Sequence, residues 1–338
     1  MSSRDVQPLV AVILPLFNAR PYFRAAVESV LNQTYRELDV IVVDDGSTDG
    51  SLEVISDIRD SRLRTVRQPN SGKPVAMNLA LSMTDAEFYA INDADDLSHP
   101  ERIQRQVDCL RRNSDVAAVF SGHDIIVSNQ RHAPQFRPRT REECREEIEC
   151  LRMPAHDPTA LWRLSMVRHF SYEPSLPGVE GYDYILRVGE QFPMLVLGEC
   201  LYSYRVHPDS ITKRAPVERE RRVREVLRRA CERRGANPEE VLGPAPGPGT
   251  YSRLRNRDLD NNLAAHFIES VLDLRSHGRV MEAIRTGIAC GKFHPTDPHY
   301  LKALAYALLP SGFIAKVRSR KKPKSVSWPT TPAMAHAG

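Results

Sequence analysis

Two acidic segments, each directly after a short apolar run, carry the residues with the clearest chemical potential. The first is Val43 to Gly50, which reads VDDGSTDG, and the second is Ala90 to Asp96, which reads AINDADD. A carboxylate at the end of a strand can accept hydrogen bonds from a nucleobase imide or from ribose hydroxyls. Acidic side chains two residues apart can direct oxygen ligands to one divalent cation that bridges a diphosphate. Asp45 is therefore the candidate nucleotide contact, and the second segment is the candidate metal site.

Each acidic segment also has a purely structural interpretation. Asp44 to Ser47 can simply turn the chain and cap the next helix. Ser98 and Glu101 have the spacing of a capping box, so the second segment can also belong to the start of a helix. The position after a buried strand favours the functional interpretation, because ligands of open α/β sheets bind beyond the carboxyl ends of the strands.

The apolar runs around these segments predict an α/β fold. Leu9 to Leu14 and Val40 to Val43 are continuous and rich in β-branched residues, as in strands buried on both faces of a parallel sheet. Further strands are predicted at Leu63 to Val66, Glu87 to Ile91 and Val116 to Phe120. Helices are predicted at Arg20 to Gln33, Leu52 to Ile58, Val75 to Ser82 and Ile103 to Arg111. This alternation predicts a mostly parallel sheet with helices on both faces.

From about Pro216 long polar helices replace the β-branched runs, which predicts a smaller, all-helical carboxy-terminal module. We expect a catalytic domain at residues 1–212, the helical module at 213–317 and a basic, disordered tail at 318–338. The stretch GPAPGPG at 243–249 can form neither helix nor central strand and is interpreted as a linker. Helices of the module are predicted at Val217 to Arg234, Leu254 to Leu274, Val280 to Ala289 and Pro298 to Leu309.

Composition excludes several classes of protein. The 338 residues are 41% hydrophobic and 27% charged, which is typical of a globular protein. A net charge of +4, and the acids interleaved in the arginine-rich helix at 217–234, argue against a nucleic-acid partner. The six cysteines have no CxxC pair or zinc-like spacing, and the chain shows no signal sequence or spanning segment, so we expect a cytoplasmic protein with reduced thiols.

The end of the helical module has a pattern that suggests a membrane surface. Ala303 to Val317 is rich in apolar residues, and the basic run RSRKKPK follows it at 318–324. An apolar helix with a basic trailer is typical of attachment to anionic lipid, which predicts peripheral contact through 303–324, at the inner face of the membrane. Core packing followed by a frayed tail is the alternative.

Five motifs in order carry a family resemblance. They are Val12 to Asn18 (VILPLFN), Ser29 to Tyr35 (SVLNQTY), Val42 to Gly50 (VVDDGSTDG), Asn70 to Lys73 (NSGK) leading to Ala76 to Asn78 (AMN), and Asp93 to Asp95 (DAD). Together they span most of residues 9–102 and resemble glycosyltransferase family 2, whose members have the GT-A fold.

The resemblance implies a nucleotide-sugar donor, a UDP-sugar or similar, and a carbohydrate or lipid-linked acceptor, as in cell-surface polysaccharide or glycolipid synthesis. It places Pro15, Asn18 and Asp45 on the donor, and Asp93 and Asp95 on the ribose and on Mn²⁺ or Mg²⁺. Asp95 is the expected direct metal ligand, and the ion would neutralise charge on the departing diphosphate. Lys73 would assist electrostatically, with a solvated surface lysine as the alternative.

The catalytic base is the point at which the chain departs from the family pattern. The resemblance implies an inverting reaction, with an acidic residue just before an aromatic-Asp-x-x-x-Arg segment. Here that stretch reads VEGYDYILR at 179–187, with Gly181 where an aspartate is expected. The base is therefore open between Glu180 and Asp183, and Glu180 is favoured because it stays in the loop. In the structural alternative, Asp183 pairs with Arg187 along the helix and Glu180 is an ordinary acid at a helix start.

Two further segments complete the implied site. Tyr202 to Thr212 resembles the closing motif of the family, with His207 as a metal or phosphate ligand and Arg205 as a phosphate partner. His156 to Thr159 (HDPT) and Trp162 lie where family members build the acceptor pocket, with His156 and Trp162 as the acceptor-side candidates, since an indole offers a platform for a sugar. The alternatives are a surface turn for His207 and core packing for Trp162.

Two other functions remain as alternatives to sugar transfer. A metal-dependent phosphohydrolase would use Asp93 and Asp95, but Leu97 stands where that chemistry requires a hydroxyl residue. A non-catalytic nucleotide-sugar-binding module of the same fold is consistent with Gly181. Dinucleotide and P-loop sites are excluded, since neither GxGxxG nor GxxxxGK[ST] is present.

Overall fold

The computed structural model describes residues 7–127, 130–132, 136–206 and 216–243, and beyond these 268, 271–272, 274–275, 278–293, 298–310 and 312–313. The strands are β1 (Val10–Leu16), β2 (Leu38–Asp44), β3 (Leu63–Arg67), β4 (Phe88–Ile91), β5 (Leu97–Ser98), β6 (Ala118–Val127), β7 (Gln130–His132), β8 (Leu161–Arg163) and β9 (Met194–Val206). The helices of the first 190 residues are α1 (Arg20–Leu31), α2 (Lys73–Ser82), α3 (Arg102–Arg112), α4 (Arg141–Glu149), α5 (Leu164–Val167) and α6 (Glu180–Gly189). They are followed by α7 (Pro216–Arg233), α8 (Pro238–Leu242), α9 (Val280–Phe293) and α10 (Pro298–Leu308).

The described strands form one sheet in the order β3-β2-β1-β4-β8-β6-β9-β5, with β7 paired to β6. Strands β3, β2, β1 and β4 are parallel. Their carboxyl ends therefore lie at one edge, where the two acidic segments follow β2 and β4. In the other half β6 and β9 are parallel, whereas β8, β5 and β7 pair antiparallel with their neighbours. The predicted α/β class is confirmed, and its parallel character is concentrated in the half that carries the acidic motifs.

Strand β1 shows why this half is buried on both faces. All seven of its residues are buried, and successive side chains point to opposite faces of the sheet. Val12 and Leu14 pack in a cluster with α1 residues such as Phe23 and Val27. Ala11 and Ile13 belong to a second cluster that contains α2 and α6 residues. Helices thus cover both faces, as the continuous apolar run predicts.

The prediction of an α-helix at Leu52 to Ile58 is wrong. The structure forms only a 3₁₀ turn there, Glu53–Ile55. Arg24 of α1 donates from Nη1 to the carbonyl of Val54 at 2.9 Å, and Ile58 N bonds to Ile55 O at 3.0 Å, the i to i+3 spacing of a 3₁₀ turn. The side chain of a neighbouring helix therefore takes a carbonyl that an α-helix needs for itself.

The carboxy-terminal helices confirm the predictions at 217–234, 280–289 and 298–309 to within a few residues at most boundaries. Val226, Ala230 and Cys231 of α7 are buried in the same cluster as α6. The limits of the predicted domains stay predictions. Most of the predicted helix at 254–274, the linker beyond Gly243 and the tail at 318–338 lie outside the described residues.

Across the described part of the chain, no helix has both the length and the apolar character required to cross a bilayer. The predicted membrane-contact segment at 303–324 is described only to Phe313. Leu308 and Phe313 are exposed there, whereas Ala303 and Ala307 are buried. Contact of this segment with a membrane stays a prediction.

Candidate active site

Asp45, at the end of β2, holds the loop between β3 and α2. Its Oδ1 accepts hydrogen bonds from Gln68 Nε2 at 2.7 Å and from Ser71 N at 2.8 Å, and its Oδ2 accepts one from Gly72 N at 2.8 Å. Gly46 permits this close approach, because a β-carbon there would lie 2.9 Å from Asn70 N and the residue has a positive φ of 77°. Both carboxylate oxygens are thus engaged within the protein, and the nucleotide contact of Asp45 stays a prediction.

Lys73, the first residue of α2, links the tips of two strands. Its Nζ lies 2.5 Å from Asp93 Oδ1 and 3.8 Å from Glu180 Oε1. Because Gly72 is bonded to Asp45, the segment from Gly72 to Lys73 connects the end of β2 with the end of β4. The side chain of Lys73 is only 22% exposed, so it differs from a solvated surface lysine.

The charge of Lys73 is fixed by its neighbours. Burial alone lowers the pKa of the ammonium group, but the carboxylates of Asp93, Glu180 and Asp157 outweigh that effect and raise the pKa above its ordinary value. Lys73 is therefore a permanent cation within an acidic cluster, which we define as Asp93, Asp157 and Glu180.

The acidic run after β4 contains three carboxylates in different surroundings. Asp96 is fully buried and accepts hydrogen bonds from Tyr202 Oη at 2.9 Å and from Arg205 N at 2.7 Å. Burial first, and then repulsion from Asp95 and Asp93, raise the pKa of Asp96 well above its usual range. Asp93 and Asp95 are partly exposed. These two are therefore the carboxylates that a ligand can approach.

The capping-box alternative for this run is wrong. Helix α3 starts at Arg102, its N-cap is Glu101, and no side chain caps it. Ser98 instead belongs to β5, where its hydroxyl donates to Asn92 Oδ1 at 2.8 Å and accepts from Arg102 Nη1 at 2.9 Å. The serine is bound to the interior, so the acidic run is not the cap of a helix.

Arg205 of β9 lies beside the acidic run. Its Nε donates to the carbonyl of Asp95 at 3.0 Å, and its guanidinium lies 5.1 Å from the ring centroid of Tyr22. The position is compatible with a phosphate partner, which stays a prediction. His207 lies outside the described residues. Within those residues, no group of three or more His, Cys, Asp and Glu side chains is arranged to hold a metal ion.

The donor-side predictions Pro15 and Asn18 flank the end of β1. Pro15 is a buried residue of the strand. Asn18 is exposed and has a positive φ of 51°. Its Oδ1 accepts from Thr48 N at 2.9 Å, and its N–H donates to Ser47 Oγ at 3.1 Å. Asn18 thus joins the loop after β1 to the DDGS turn after β2.

The two predicted base candidates have different partners at the start of α6. Asp183 Oδ2 lies 2.7 Å from Arg187 Nε, and Asp183 Oδ1 lies 3.9 Å from Arg233 Nη1 of α7. The helical pair between Asp183 and Arg187, stated above as the structural alternative, is therefore present. Glu180 is buried, and its Oε2 has no hydrogen-bond partner in the described part of the chain. Of the two candidates, Glu180 is the member of the acidic cluster, with Oε1 3.8 Å from Lys73 Nζ.

Asp157, expected from the sequence only as part of the acceptor stretch and not as a catalytic residue, lies against the helix at Gly181. A β-carbon at position 181 would lie only 2.0 Å from Asp157 Oδ2. Burial raises the pKa of Asp157 to about 7, with Lys73 opposing the rise and Glu180 and Asp93 adding to it. The one sequence signal was an acid next to His156 combined with the unexpected glycine at 181.

Arg102 fixes the turn that carries Asp157. This fully buried arginine donates from Nη2 to Pro158 O at 2.6 Å and to Ala160 O at 3.2 Å, and from Nη1 to Ile91 O at 3.2 Å. Burial lowers the pKa of its guanidinium to about 10. Arg102 therefore joins the end of β4 to the 3₁₀ turn Asp157–Thr159.

The two acceptor-side predictions, His156 and Trp162, lie in different surroundings. The ring of His156 lies 5.1 Å from His123 and 5.3 Å from Tyr204. Burial, followed by repulsion from Lys73 and Arg219, lowers the pKa of His156 to about 4, so its imidazole is neutral at pH 7. Trp162 is fully buried in contact with Phe120 and Tyr184. Its position fits the core-packing alternative, and an acceptor role for either residue stays a prediction.

The site thus unites residues from five segments. The tips of β2 and β4 supply Asp45, Asp93 and Asp95, α2 supplies the fixed cation Lys73, and the turn at 157 and the start of α6 supply Asp157 and Glu180. Partly exposed carboxylates beside the half-buried ammonium of Lys73 can bind a metal cation and hydroxyl groups, and a carboxyl whose pKa lies near 7 can exchange a proton at neutral pH.

Comparison with known proteins relates most of this arrangement to one family. The model of "Glycosyl transferase family 2" matches residues 11–172. That range contains Asp45, Lys73, Asp93, Asp95 and Asp157. Glu180, Asp183 and Arg205 lie beyond it.

Relatives and solved structures agree with the match. The chain is 26% identical over 222 residues to a chondroitin synthase of Escherichia coli, covering 63% of this chain and 31% of the relative. It spans at most 66% of the length of the first curated relatives it matches.

Two solved structures share the fold at 18% identity. S. aureus TarS 1–349 in complex with UDP-GlcNAc matches with a TM-score of 0.56, over 88% of this chain and 83% of that one. Mannosyltransferase PcManGT from Pyrobaculum calidifontis, in complex with GDP-Man and Mn²⁺, matches with a TM-score of 0.53, over 94% of this chain and 89% of that one. Residues 11–172 are thus similar to glycosyltransferase family 2, and the fold of the chain is of the GT-A type.

Proposed function

We propose that this chain transfers a sugar from a nucleotide-diphosphate donor to a hydroxyl group of a carbohydrate or lipid-linked acceptor. The observation that carries the proposal is the bridge from Asp45 through Gly72 and Lys73 to Asp93. This bridge brings groups that suit the nucleobase, the ribose and the diphosphate of a nucleotide to one edge of the sheet. Ligands of α/β sheets bind at such an edge.

A UDP-sugar is the first donor to test. S. aureus TarS is a fold neighbour in complex with UDP-GlcNAc, and PcManGT is one in complex with GDP-Man. Both donors are nucleotide diphosphate sugars, so the proposal for this chain extends to that class. The similarity to a chondroitin synthase supports an acceptor in polysaccharide synthesis.

The residues present fit a divalent cation at Asp95. Asp93 is already paired with Lys73, Asp96 is buried, and Asp95 is a partly exposed carboxylate between them. Burial raises the pKa of Asp96, repulsion from Asp95 and Asp93 adds to the rise, and a positive charge would relieve that repulsion. Carboxylate oxygens are ligands that suit Mg²⁺ and Mn²⁺. When bound, the cation would neutralise charge on the departing diphosphate. His207 is proposed as a further ligand, and PcManGT is a neighbour that holds Mn²⁺.

Lys73 and Arg205 are the proposed fixed charges of the donor site. Lys73 holds Asp93 in place and adds positive potential beside the diphosphate. Arg205 donates from Nε to the carbonyl of Asp95, and the remaining N–H groups of a guanidinium suit phosphate oxygens. The acceptor hydroxyl then requires a base on the far side of the sugar, since the proposed reaction inverts the anomeric centre.

The test is release of UDP from UDP-GlcNAc and other UDP-sugars, and of GDP from GDP-mannose, by the purified full chain with Mn²⁺, with water as the acceptor. We expect release that requires the metal and falls at least about 100-fold in Asp95→Ala, since the metal site supplies several kcal/mol of transition-state stabilisation. Asp85→Ala is the matched control, because that carboxylate is fully exposed at 101%. Equal release by Asp95→Ala and by wild type would contradict the proposal.

The products separate the proposal from its alternatives. Sugar transfer to water yields a nucleoside diphosphate and free sugar, whereas a phosphohydrolase yields a nucleoside monophosphate or inorganic phosphate. A non-catalytic module would show thermal stabilisation by the donor with no product at all.

A further inference from the structure

The carboxylate of Asp157 fills the space that a side chain at position 181 would need. A β-carbon at 181 would lie 2.0 Å from Asp157 Oδ2, 2.2 Å from its Cγ and 2.8 Å from its Cβ. Such distances are far below van der Waals contact, so position 181 accepts a side chain only if Asp157 moves. The glycine at this position and the aspartate 24 residues earlier are therefore complementary.

Asp157 is held in that place by its turn. Ala160 N donates to Asp157 O at 3.1 Å, and Thr159 Oγ1 donates to His156 O at 2.6 Å. The buried guanidinium of Arg102 binds the next carbonyls, Pro158 O and Ala160 O. The carboxylate is therefore presented by a fixed backbone, which is the condition for efficient proton transfer to a bound hydroxyl.

The other carboxylates near α6 are already neutralised to different degrees. Asp183 lies in an ion pair with Arg187 and within 3.9 Å of Arg233. Asp93 is paired at 2.5 Å with Lys73, and Glu180 lies 3.8 Å from the same ammonium group. Among the described residues Asp157 forms no ion pair, and its buried Oδ1, like Oε2 of Glu180, has no hydrogen-bond partner there. No protein donor among the described residues therefore competes with a substrate hydroxyl for Asp157 Oδ1.

We infer that Asp157 is the catalytic base of the transfer reaction, and that Gly181 is required to make room for it. The inference rests on the proposed function. The inferred base is thus neither Glu180 nor Asp183, the two candidates from the sequence, which both lie in α6. It is a third residue, in the turn before β8.

Asp157 Oδ1 takes the proton of the acceptor hydroxyl while that hydroxyl oxygen forms a bond to the anomeric carbon of the donor. The bond between the anomeric carbon and the β-phosphate oxygen breaks, and its electron pair leaves on the nucleoside diphosphate. With water as the acceptor, the products are free sugar, nucleoside diphosphate and the protonated Asp157, which releases its proton to solvent.

The surroundings suit this role at neutral pH. Burial, with the nearby Glu180 and Asp93, raises the pKa of Asp157 to about 7 against the opposing effect of Lys73. A general base works best when its pKa is close to the working pH. Glu180 contributes by raising the proton affinity of Asp157, which makes it a positioning residue.

The first experiment compares Asp157→Asn, Glu180→Gln and Asp183→Asn in the full chain, with UDP-GlcNAc hydrolysis and UDP binding as readouts. We expect Asp157→Asn to lower kcat at least about 100-fold, the usual contribution of a general base, while KM and the Kd of UDP change less than about threefold. Glu180→Gln should keep most of kcat and shift the acidic limb of the pH profile to lower pH. A kcat of Asp157→Asn within threefold of wild type would overturn the inference.

The second experiment exchanges the two positions. Gly181→Asp alone should lose activity, because its side chain collides with Asp157. The double variant Asp157→Gly/Gly181→Asp should recover at least about tenfold over Asp157→Gly, because the carboxylate returns to the same space from the other element. If the double variant folds, as judged by its melting temperature and UDP binding, but recovers no activity, the two positions do not present a carboxylate to the same place.

The outcomes for the inference and for the proposed function can be told apart. If the wild type turns over a nucleotide sugar and Asp157→Asn does so at a similar rate, only the inference is wrong. If the wild type turns over no nucleotide sugar, the proposed function and the inference are both wrong.

Discussion

The side-chain amide of Asn78 forms two hydrogen bonds with the backbone of Tyr172. Asn78 Nδ2 donates to Tyr172 O and Tyr172 N donates to Asn78 Oδ1, both at 2.8 Å, across 94 residues of sequence. The ring of Tyr172 stacks on Tyr184 of α6 with centroids 4.2 Å apart. Helix α2, which begins with Lys73, is thereby fixed against the segment that leads to α6, so the cation and the carboxylates of the acidic cluster are held together from both sides.

Replacing Asn78 with Ala should therefore destabilise the whole domain. Both bonds are lost and a backbone donor and acceptor are left unpaired, which costs about 2 to 4 kcal/mol. Urea unfolding followed by circular dichroism measures the change. Asn32→Ala is the matched control, because Asn32 is exposed after α1 and should change stability by less than about 0.5 kcal/mol. Equal midpoints for the two variants would show that the pair contributes nothing.

Lys73→Ala should be destabilising as well, since it removes the cation from three carboxylates. With side chains that are 22% and 23% exposed in the pair with Asp93, solvent screens part of the effect, and we expect a loss of about 1 to 3 kcal/mol in free energy of unfolding. The comparison is Arg24→Ala, which breaks an exposed pair with Asp57 and should cost less than about 1 kcal/mol. If the two losses were the same, Lys73 would be an ordinary surface charge.

Arg102→Lys tests whether the guanidinium of Arg102 holds the turn that carries Asp157. A lysine cannot reproduce the planar fork that binds Ile91 O, Pro158 O and Ala160 O, and it leaves buried carbonyls without donors. The expected loss is about 2 to 4 kcal/mol. Arg105→Lys, three residues later on the exposed face of α3, should change little. A tolerant Arg102→Lys variant, with the same unfolding midpoint as Arg105→Lys, would contradict the anchoring role.

Strand and helix positions in the first 120 residues were predictable because burial on both faces requires unbroken apolar runs. The run at 9–14 corresponds to β1 and that at 40–43 to β2. The acidic segments were equally visible, because each directly follows such a run. Local pattern therefore sufficed to predict which edge of the sheet carries the chemistry.

The contacts that complete the site depend on pairs far apart in sequence. Arg102 stands in a polar helix and its type predicts exposure, yet it is fully buried because three backbone carbonyls from distant segments need a donor. Gly181 was recognised as a departure from the family pattern, but the sequence alone does not show that Asp157, 24 residues away, fills the space. Local periodicity contains no information on such pairs.

The pH dependence of stability gives a separate test of the surroundings of Asp157. The charged groups that face Asp157 are Lys73 of α2, Asp93 after β4 and Glu180 of α6. The neutral phenols of Tyr172 and Tyr184 face it as well. Because the pKa of Asp157 in the folded chain is about 7, above its ordinary value of 3.8, ionisation is unfavourable in the fold. The folded state therefore loses stability as pH rises from about 4 through 7, and this loss is complete above the folded pKa.

Asp157→Asn cannot ionise and should escape that loss. We expect the variant to be more stable than wild type at pH 8 by about 1 to 3 kcal/mol after solvent screening is allowed for, with the difference shrinking towards pH 5. Urea unfolding at pH 5, 6, 7 and 8 measures it, with Asp85→Asn as a control in which the two curves should stay together, because that side chain is fully exposed. A variant less stable than wild type at pH 8, or a difference that does not change with pH, would mean that Asp157 is ionised in the fold without cost. The combination of higher stability and lost turnover in one variant is what a strained catalytic carboxylate requires, because the same crowding that destabilises its charge gives it a proton affinity useful at neutral pH.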